Sequence, residues 1–256
     1  EIIHKAYRPM DNYCLAVTLK ADGSIQKEVV GSIAESLGMD RGSGDWERLR
    51  EIFRSPSLEM ASFTITEKGY QIRGADGAVL PGPAADFQAG PDGAESYIGR
   101  ITALAYERFQ AGRLPIAFVS MDNCSHNGTK LWEAVEAFAK AWVENKLVPE
   151  DFLAYITDRN LVGFPWSMID KITPRPDDKV KHMLEADGLE DVESVVTSKG
   201  TYVAPFVNAE ETEYLVIEDW FPNGRPPLDK GGVIFTDRET VDKVEKMKVC
   251  TCLNPL

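Results

Sequence analysis

Apolar residues run without a break through Pro115–Met121 (PIAFVSM), the pattern of a strand covered on both faces. Shorter apolar or alternating runs predict further strands at Tyr13–Leu19, Ser24–Val30, Ala61–Thr66, Ser194–Thr197, Tyr214–Glu218 and Val233–Phe235. Between them, the segments Trp46–Phe53, Tyr97–Ala111, Thr129–Glu144, Glu150–Arg159, Asp177–Ala186 and Glu239–Lys246 predict helices. The clearest helix places Leu131, Val135, Phe138 and Trp142 at spacings of four, three and four, which makes one apolar stripe. Strands interleaved with helices predict an α/β fold. The Gly/Pro/Ala-rich stretch Gly74–Glu95 shows no period and reads as a surface loop.

A chain of 256 residues with 43% hydrophobic content can bury a substantial core, as one large domain or two small ones. Its net charge of -13 argues against nucleic acid or an anionic membrane as partner. No apolar run approaches the roughly 20 residues of a membrane span, and no signal peptide opens the chain. A cytoplasmic location is expected. Cys14, Cys124, Cys250 and Cys252 form no disulfide framework. His4, His126 and His182 are scattered, and Cys250-x-Cys252 lacks a second ligand pair; alternate positions on a strand account for it. No metal site is predicted.

Two segments stand out as candidates for chemistry: Val119–Gly128 (VSMDNCSHNG) and Phe164–Pro174 (FPWSMIDKITP). Both follow strand-like segments, where an open α/β sheet presents its ligand site. Taken residue by residue, the local patterns are plain. Asn127-Gly128 before a helix reads as a cap and turn, and Asn123 at the strand's end reads as a loop asparagine. Asp170 reads as a helix or turn cap, Pro165 and Pro174 as loop punctuation, and Arg225-Pro226-Pro227 as a turn. Thr64, Thr66 and Glu67 close a strand.

Together these segments resemble the long-chain mannitol dehydrogenase family, which includes fructuronate and tagaturonate reductases. That family reads SCDN–x–x–x–NG and then FP–x–x–MVDRITP. Ser120, Asp122, Asn123, Asn127 and Gly128 match the first pattern. Phe164, Pro165, Met168, Asp170, Ile172, Thr173 and Pro174 match the second, with Ile169 for Val and Lys171 for Arg. Ala21–Ile33, Ser62–Tyr70, Tyr214–Pro227 and Glu245–Asn254 resemble further family segments in the right order.

The resemblance implies a Rossmann-like dinucleotide-binding domain over residues 1–246, incomplete at its first βα units. Residues 247–256 would begin the C-terminal helical substrate domain. Nothing between Glu1 and Thr18 offers the family's G-x-G-x-x-G turn, so an internal piece of a longer protein is expected. The implied activity is hydride transfer between NAD (or NADP) and a polyol or hexuronate, without a metal. The enzyme would be a monomer or small homo-oligomer whose partner is the small-molecule substrate. Oxidising a secondary alcohol needs a base for the hydroxyl proton and donors that hold the developing alkoxide.

In the family a lysine is the base and two asparagines form the oxyanion pocket. By position, Asn123 resembles the first asparagine, Asn254 the second, and Asp170 an acid beside the base. The family places its lysine five residues before the second asparagine, where this chain has Val249. Lys248 lies six before and Lys246 eight before. A one-residue bulge assigns the role to Lys248, with Lys246 the alternative. Thr64, Thr66, Glu67 and Asn123 are the candidate cofactor contacts. Two other classes stay open: a sugar-acid hydratase or isomerase using Asp170 and a lysine, and a non-catalytic α/β domain.

Overall fold

The computed structural model describes residues 1–253 apart from 199 and 212, with side chains described through Lys248. In chain order the strands are β1 (Cys14–Leu19), β2 (Ile25–Val30), β3 (Met60–Phe63), β4 (Ile116–Ser120), β5 (Val162–Gly163), β6 (Ser167–Lys171), β7 (Val195–Val196), β8 (Tyr202–Val203), β9 (Phe206–Glu210), β10 (Glu213–Glu218) and β11 (Ile234–Thr236). The α-helices are α1 (Gly44–Arg54), α2 (Pro81–Gly93), α3 (Tyr97–Gln110), α4 (Asn127–Glu144), α5 (Glu150–Thr157), α6 (Asp178–Ala186) and α7 (Arg238–Leu253). The chain divides into two compact units, Glu1–Trp46 with Asp170–Glu213, and Glu47–Ile169 with Tyr214–Leu256.

In the first unit β1 pairs antiparallel with β2 and parallel with β9. The β1–β2 turn is closed by Gly23, at φ 82, and by the Asp22 carboxylate, which accepts from the Ser24 amide at 2.8 Å. Alternation along β1 turns Leu15 and Val17 to one face, where they join Phe206, Val180, Leu184 and Val192 in a small core. Asp177 caps α6, its carboxylate accepting from Lys179 and Val180 amides.

The second unit is built around β4, all five residues of which are buried, as its apolar run predicts. β4 lies between β3 and β5 and is parallel to both. The crossover from β3 to β4 passes through α2 and α3, and that from β4 to β5 through α4 and α5. Such parallel pairs need helical crossovers. The predicted stripe of α4 (Leu131, Val135, Phe138, Trp142) is buried, and α4 packs on α2, α3 and α5. A second sheet has the order β11-β10-β6.

Two sequence expectations are corrected here. The stretch Gly74–Glu95 contains helix α2 rather than a plain loop. It lacks an apolar period because its buried positions are Asp86 and Gly90. The Asp86 carboxylate accepts from the Glu95 and Ser96 amides, and its carbonyl accepts from Trp142 Nε1 at 3.0 Å. Pro81 opens the helix and the backbone breaks at Gly90, φ 71. Second, Cys250 and Cys252 lie in helix α7, not on a strand. The run VCTC looks strand-like by propensity, but it continues a helix already under way from Arg238.

Strands β5, β6, β8 and β9 are additions the periodicity did not announce. In β6 polar Ser167, Asp170 and Lys171 interrupt the apolar pattern, and in β9 a buried Asn208 does so, donating to the Arg175 carbonyl. The boundary expected at residue 246/247 falls inside α7. Among the described residues no helix is long and apolar enough to cross a membrane. Nor, among them, is any group of three or more His, Cys, Asp or Glu placed to hold a metal ion.

Candidate functional site

The site is assembled where β3 and β4 end, within the second unit. After Ser120, the Met121 amide still donates to Phe63 O at 2.7 Å, so the two strands leave the sheet together. Asp122 then turns inward and is 6% exposed. Its carboxylate accepts from the Ile65 and Thr66 amides, each at 2.9 Å, and from the Tyr70 hydroxyl. Burial, helped by the Asp122 carboxylate, pushes the Tyr70 hydroxyl above its usual range, so it stays protonated and donates. Tyr70 is also 2.8 Å from Ser120 Oγ. Thr66 sits at φ 64, ψ 160, a backbone region that only glycine enters freely.

Asn127 is a buried tie rather than the cap expected from its sequence context. His126, at φ 51, occupies the cap position of α4 without a capping side-chain bond. The Asn127 Nδ2 lies 3.0–3.1 Å from the carbonyl oxygens of Ser120, Asp122 and Ser167 and from Ser167 Oγ. Its Oδ1 accepts from the Ser167 and Gly128 amides. One side chain thereby fixes the end of β4 to β6, which only the three-dimensional pairing makes visible. Gly128 beside it has no room for a side chain. A Cβ there would stand 2.6 Å from both the Phe164 and Pro165 carbonyl oxygens. Gly128→Ala is expected to cost about 2 kcal/mol of stability, read from the unfolding midpoint. An unchanged midpoint would mean the Phe164–Pro165 backbone yields freely.

Between these fixed points Asn123 is exposed at the carboxyl end of β4. Burial raises the neighbouring Cys124 thiol, which makes it a poor nucleophile. Thr64, Thr66 and Glu67 are exposed at the corresponding end of β3, with Glu67 paired to Lys130 at 2.5 Å. A groove of about 870 Å³ runs along α4 and reaches this site only at Glu67, Tyr70 and Lys130.

Helix α7 brings the lysines. Val241, Glu245 and Lys248, spaced four and three apart, share one face. Val241 is fully buried and Glu245 is 8% exposed. Glu245 accepts from the Ser125 hydroxyl and, at 3.0 Å, from the His126 amide, and so joins α7 to the loop that carries Asn123. Lys248 is half-buried, and its Nζ donates to the Ile169 carbonyl at 2.6 Å. Lys246 lies on the outer side, its side chain 71% exposed and paired with Asp242. That ammonium holds the Asp242 carboxyl below the usual carboxylate range. Lys248 is thus set inward by helical phase. Helix α7 continues from Arg238 to Leu253, and the register between Lys248 and Asn254, for which the bulge was expected, runs beyond the described residues.

Asp170 is half-buried on β6, one residue after Ile169, and belongs to the first unit. Asn254 lies outside the described residues. Asp122, Tyr70, Ser167 and Glu245 had no role in the sequence reading. Asp122 matched the motif, but an acid in a loop gives no local sign of burial.

A family model described as the mannitol dehydrogenase Rossmann domain matches residues 3–230. The chain belongs to the mannitol dehydrogenase family, and its α/β architecture is of the Rossmann type. A D-mannonate oxidoreductase of Thermotoga maritima is 52% identical, the match covering 100% of this chain and 48% of that protein. A mannitol 2-dehydrogenase of Pyrenophora tritici-repentis is 32% identical over 95% of this chain and 40% of its own. Among solved structures, Pseudomonas fluorescens mannitol 2-dehydrogenase in ternary complex with NAD and D-mannitol matches with TM-score 0.75 at 29% identity, covering 96% of this chain and 46% of that one. D-sorbitol dehydrogenase in substrate-free form matches with TM-score 0.73 at 26% identity, covering 91% and 44%. The chain spans about half the length, or less, of the curated relatives it matches.

Proposed function

We propose that this chain supplies the nucleotide-binding region and part of the catalytic apparatus of an NAD(P)-dependent oxidoreductase acting on a sugar acid or polyol. The favoured substrate is of the D-mannonate type, following the T. maritima relative at 52% identity. The observation that carries the reading is the placing of Lys248 on the inner face of α7, which Glu245 joins to the Asn123 loop.

In this scheme residues 1–246 form the dinucleotide-binding region, and the segment from residue 247 leads into the substrate region. The exposed Thr64 and Thr66 hydroxyls, Glu67 and the Asn123 amide, at the carboxyl ends of parallel strands, fit a polar nucleotide. NAD(P), when bound, accepts or returns the hydride. Lys248 takes the hydroxyl proton of the alcohol as the carbon becomes a carbonyl, and no metal is required. Asn123 donates to the oxygen on which negative charge develops; Asn254 is the second donor. By its motif position Asp170 is the candidate acid of the scheme.

The test is steady-state kinetics on the full-length protein with NAD⁺ and either D-mannonate or D-mannitol. Asn123→Ala should lower kcat about 100-fold, since losing one such donor costs roughly 3 kcal/mol in the transition state. KM should move little, because the donor acts on charge absent from the ground state. Full kcat in that variant would remove Asn123 from the oxyanion role and leave it a loop residue.

A further inference from the structure

We propose that Asp122 is a positioning residue for cofactor binding: its buried carboxylate holds the Thr64–Glu67 turn in a strained shape and at a fixed distance from Asn123. The inference deepens the function proposed above and rests on its placing of the nicotinamide cofactor along Thr64, Thr66, Glu67 and Asn123.

The chemistry of the clamp is specific to a carboxylate. Two successive amides, Ile65 and Thr66, point at one side chain, one to each oxygen. Only an ionised acid offers two acceptors and no donor to meet them. The conformation they hold is costly for threonine: φ 64 with ψ 160 crowds a β-branched side chain against its own backbone. Such a shape persists only where its surroundings enforce it. Here the enforcement is doubled, since Tyr70, three residues beyond the turn at the end of a short 3-10 helix, donates its hydroxyl to the same carboxylate.

Asp122 is also one residue from Asn123, and its own carbonyl is within reach of the buried Asn127 amide. The turn after β3 and the loop after β4 are therefore held by one residue, which is itself fixed from beneath. Glu67, inside the clamped turn, is tethered to α4 through Lys130. A merely stabilising contact would not need a strained turn. A site that must present Thr64 and Thr66 to a ligand in one geometry does.

The experiment uses the full-length protein and compares wild type with Asp122→Asn, Tyr70→Phe and Asn123→Ala. NADH affinity is read by fluorescence titration and unfolding midpoints are recorded alongside. In Asp122→Asn the amide –NH₂ faces a backbone N–H, so one bond is lost at nearly constant volume. The NADH Kd and the KM for NAD⁺ should rise about tenfold or more, as displacement of a positioned group does. The KM for D-mannonate should stay within about twofold, since the clamp bears on the cofactor side. Tyr70→Phe keeps both amide bonds and should raise the NADH Kd in the same direction by a smaller factor. A lower midpoint with unchanged NADH affinity in Asp122→Asn reduces the clamp to a structural role and overturns the proposal. If Asp122→Asn does not fold, Tyr70→Phe decides: an unchanged NADH Kd overturns the proposal and a raised one supports it. Should the wild-type protein fail to bind NADH, the underlying functional reading falls, and the clamp with it. Should wild type bind NADH and Asn123→Ala lose kcat while Asp122→Asn binds normally, the clamp alone is wrong.

Discussion

Lys248→Ala in the full-length protein is expected to lower kcat for alcohol oxidation by about a thousandfold, the range over which a positioned general base acts. Lys246→Ala should leave kcat within about twofold, because a solvated ion pair of this kind is worth little. Both lysines lie near the site in sequence, but only Lys248 faces inward, with its amine against the Ile169 carbonyl. The substitution also removes that hydrogen bond, at a cost of about 1 kcal/mol in stability. Unfolding midpoints measured beside the kinetics separate that loss from the loss of chemistry. A crippled Lys246→Ala beside a healthy Lys248→Ala would reverse the assignment.

Arg108→Met is expected to destabilise the protein by about 4 kcal/mol or more, as removing a buried hydrogen-bonded charge does. Arg108 is 0% exposed. Its Nη1 donates to the Phe53 and Ser55 carbonyls at 2.8 and 2.9 Å, and its Nη2 to Leu58 and Pro115 at 3.1 and 2.6 Å. Those carbonyls belong to the segments entering β3 and β4, so one guanidinium organises the start of both site-bearing strands. Burial pushes its pKa down, but a guanidinium held by so many oxygens stays protonated. Methionine fills the volume and leaves the carbonyls without partners. Arg108→Lys should recover only part of the loss, because an ammonium cannot reproduce the planar fork. Urea unfolding followed by tryptophan fluorescence measures both; a Met variant within about 1 kcal/mol of wild type would show that water replaces the guanidinium.

What could be read from the chain follows from which signals are local. The buried strand Ile116–Ser120 and the stripe of α4 were legible because apolar period and burial coincide there. Helix α2 was hidden because its buried positions are an aspartate and a glycine. Strand β6 was hidden because Pro165 precedes it and its polar residues find partners across the fold, as Ser167 does with Asn127. In the loop after β4 the motif marked Asn123, while the contacts of Asp122 appear only when the turn after β3 folds onto it. Counting along the chain favoured Lys248, but which of Lys246 and Lys248 faces inward depends on the phase of the helix at each residue.

That last point bears on how this segment can change. In α7 each residue advances the face by about 100°, so Val241 and Glu245 act as the index marks from which Lys248 is aimed. Lys243, Lys246 and Met247 stand on the outer side, largely exposed, where exchange is expected to cost little. Losing or gaining one residue between Glu245 and Lys248 swings the amine away from the Ile169 carbonyl, whatever residues are chosen. The segment is a gauge whose length is constrained and whose outer lettering is free.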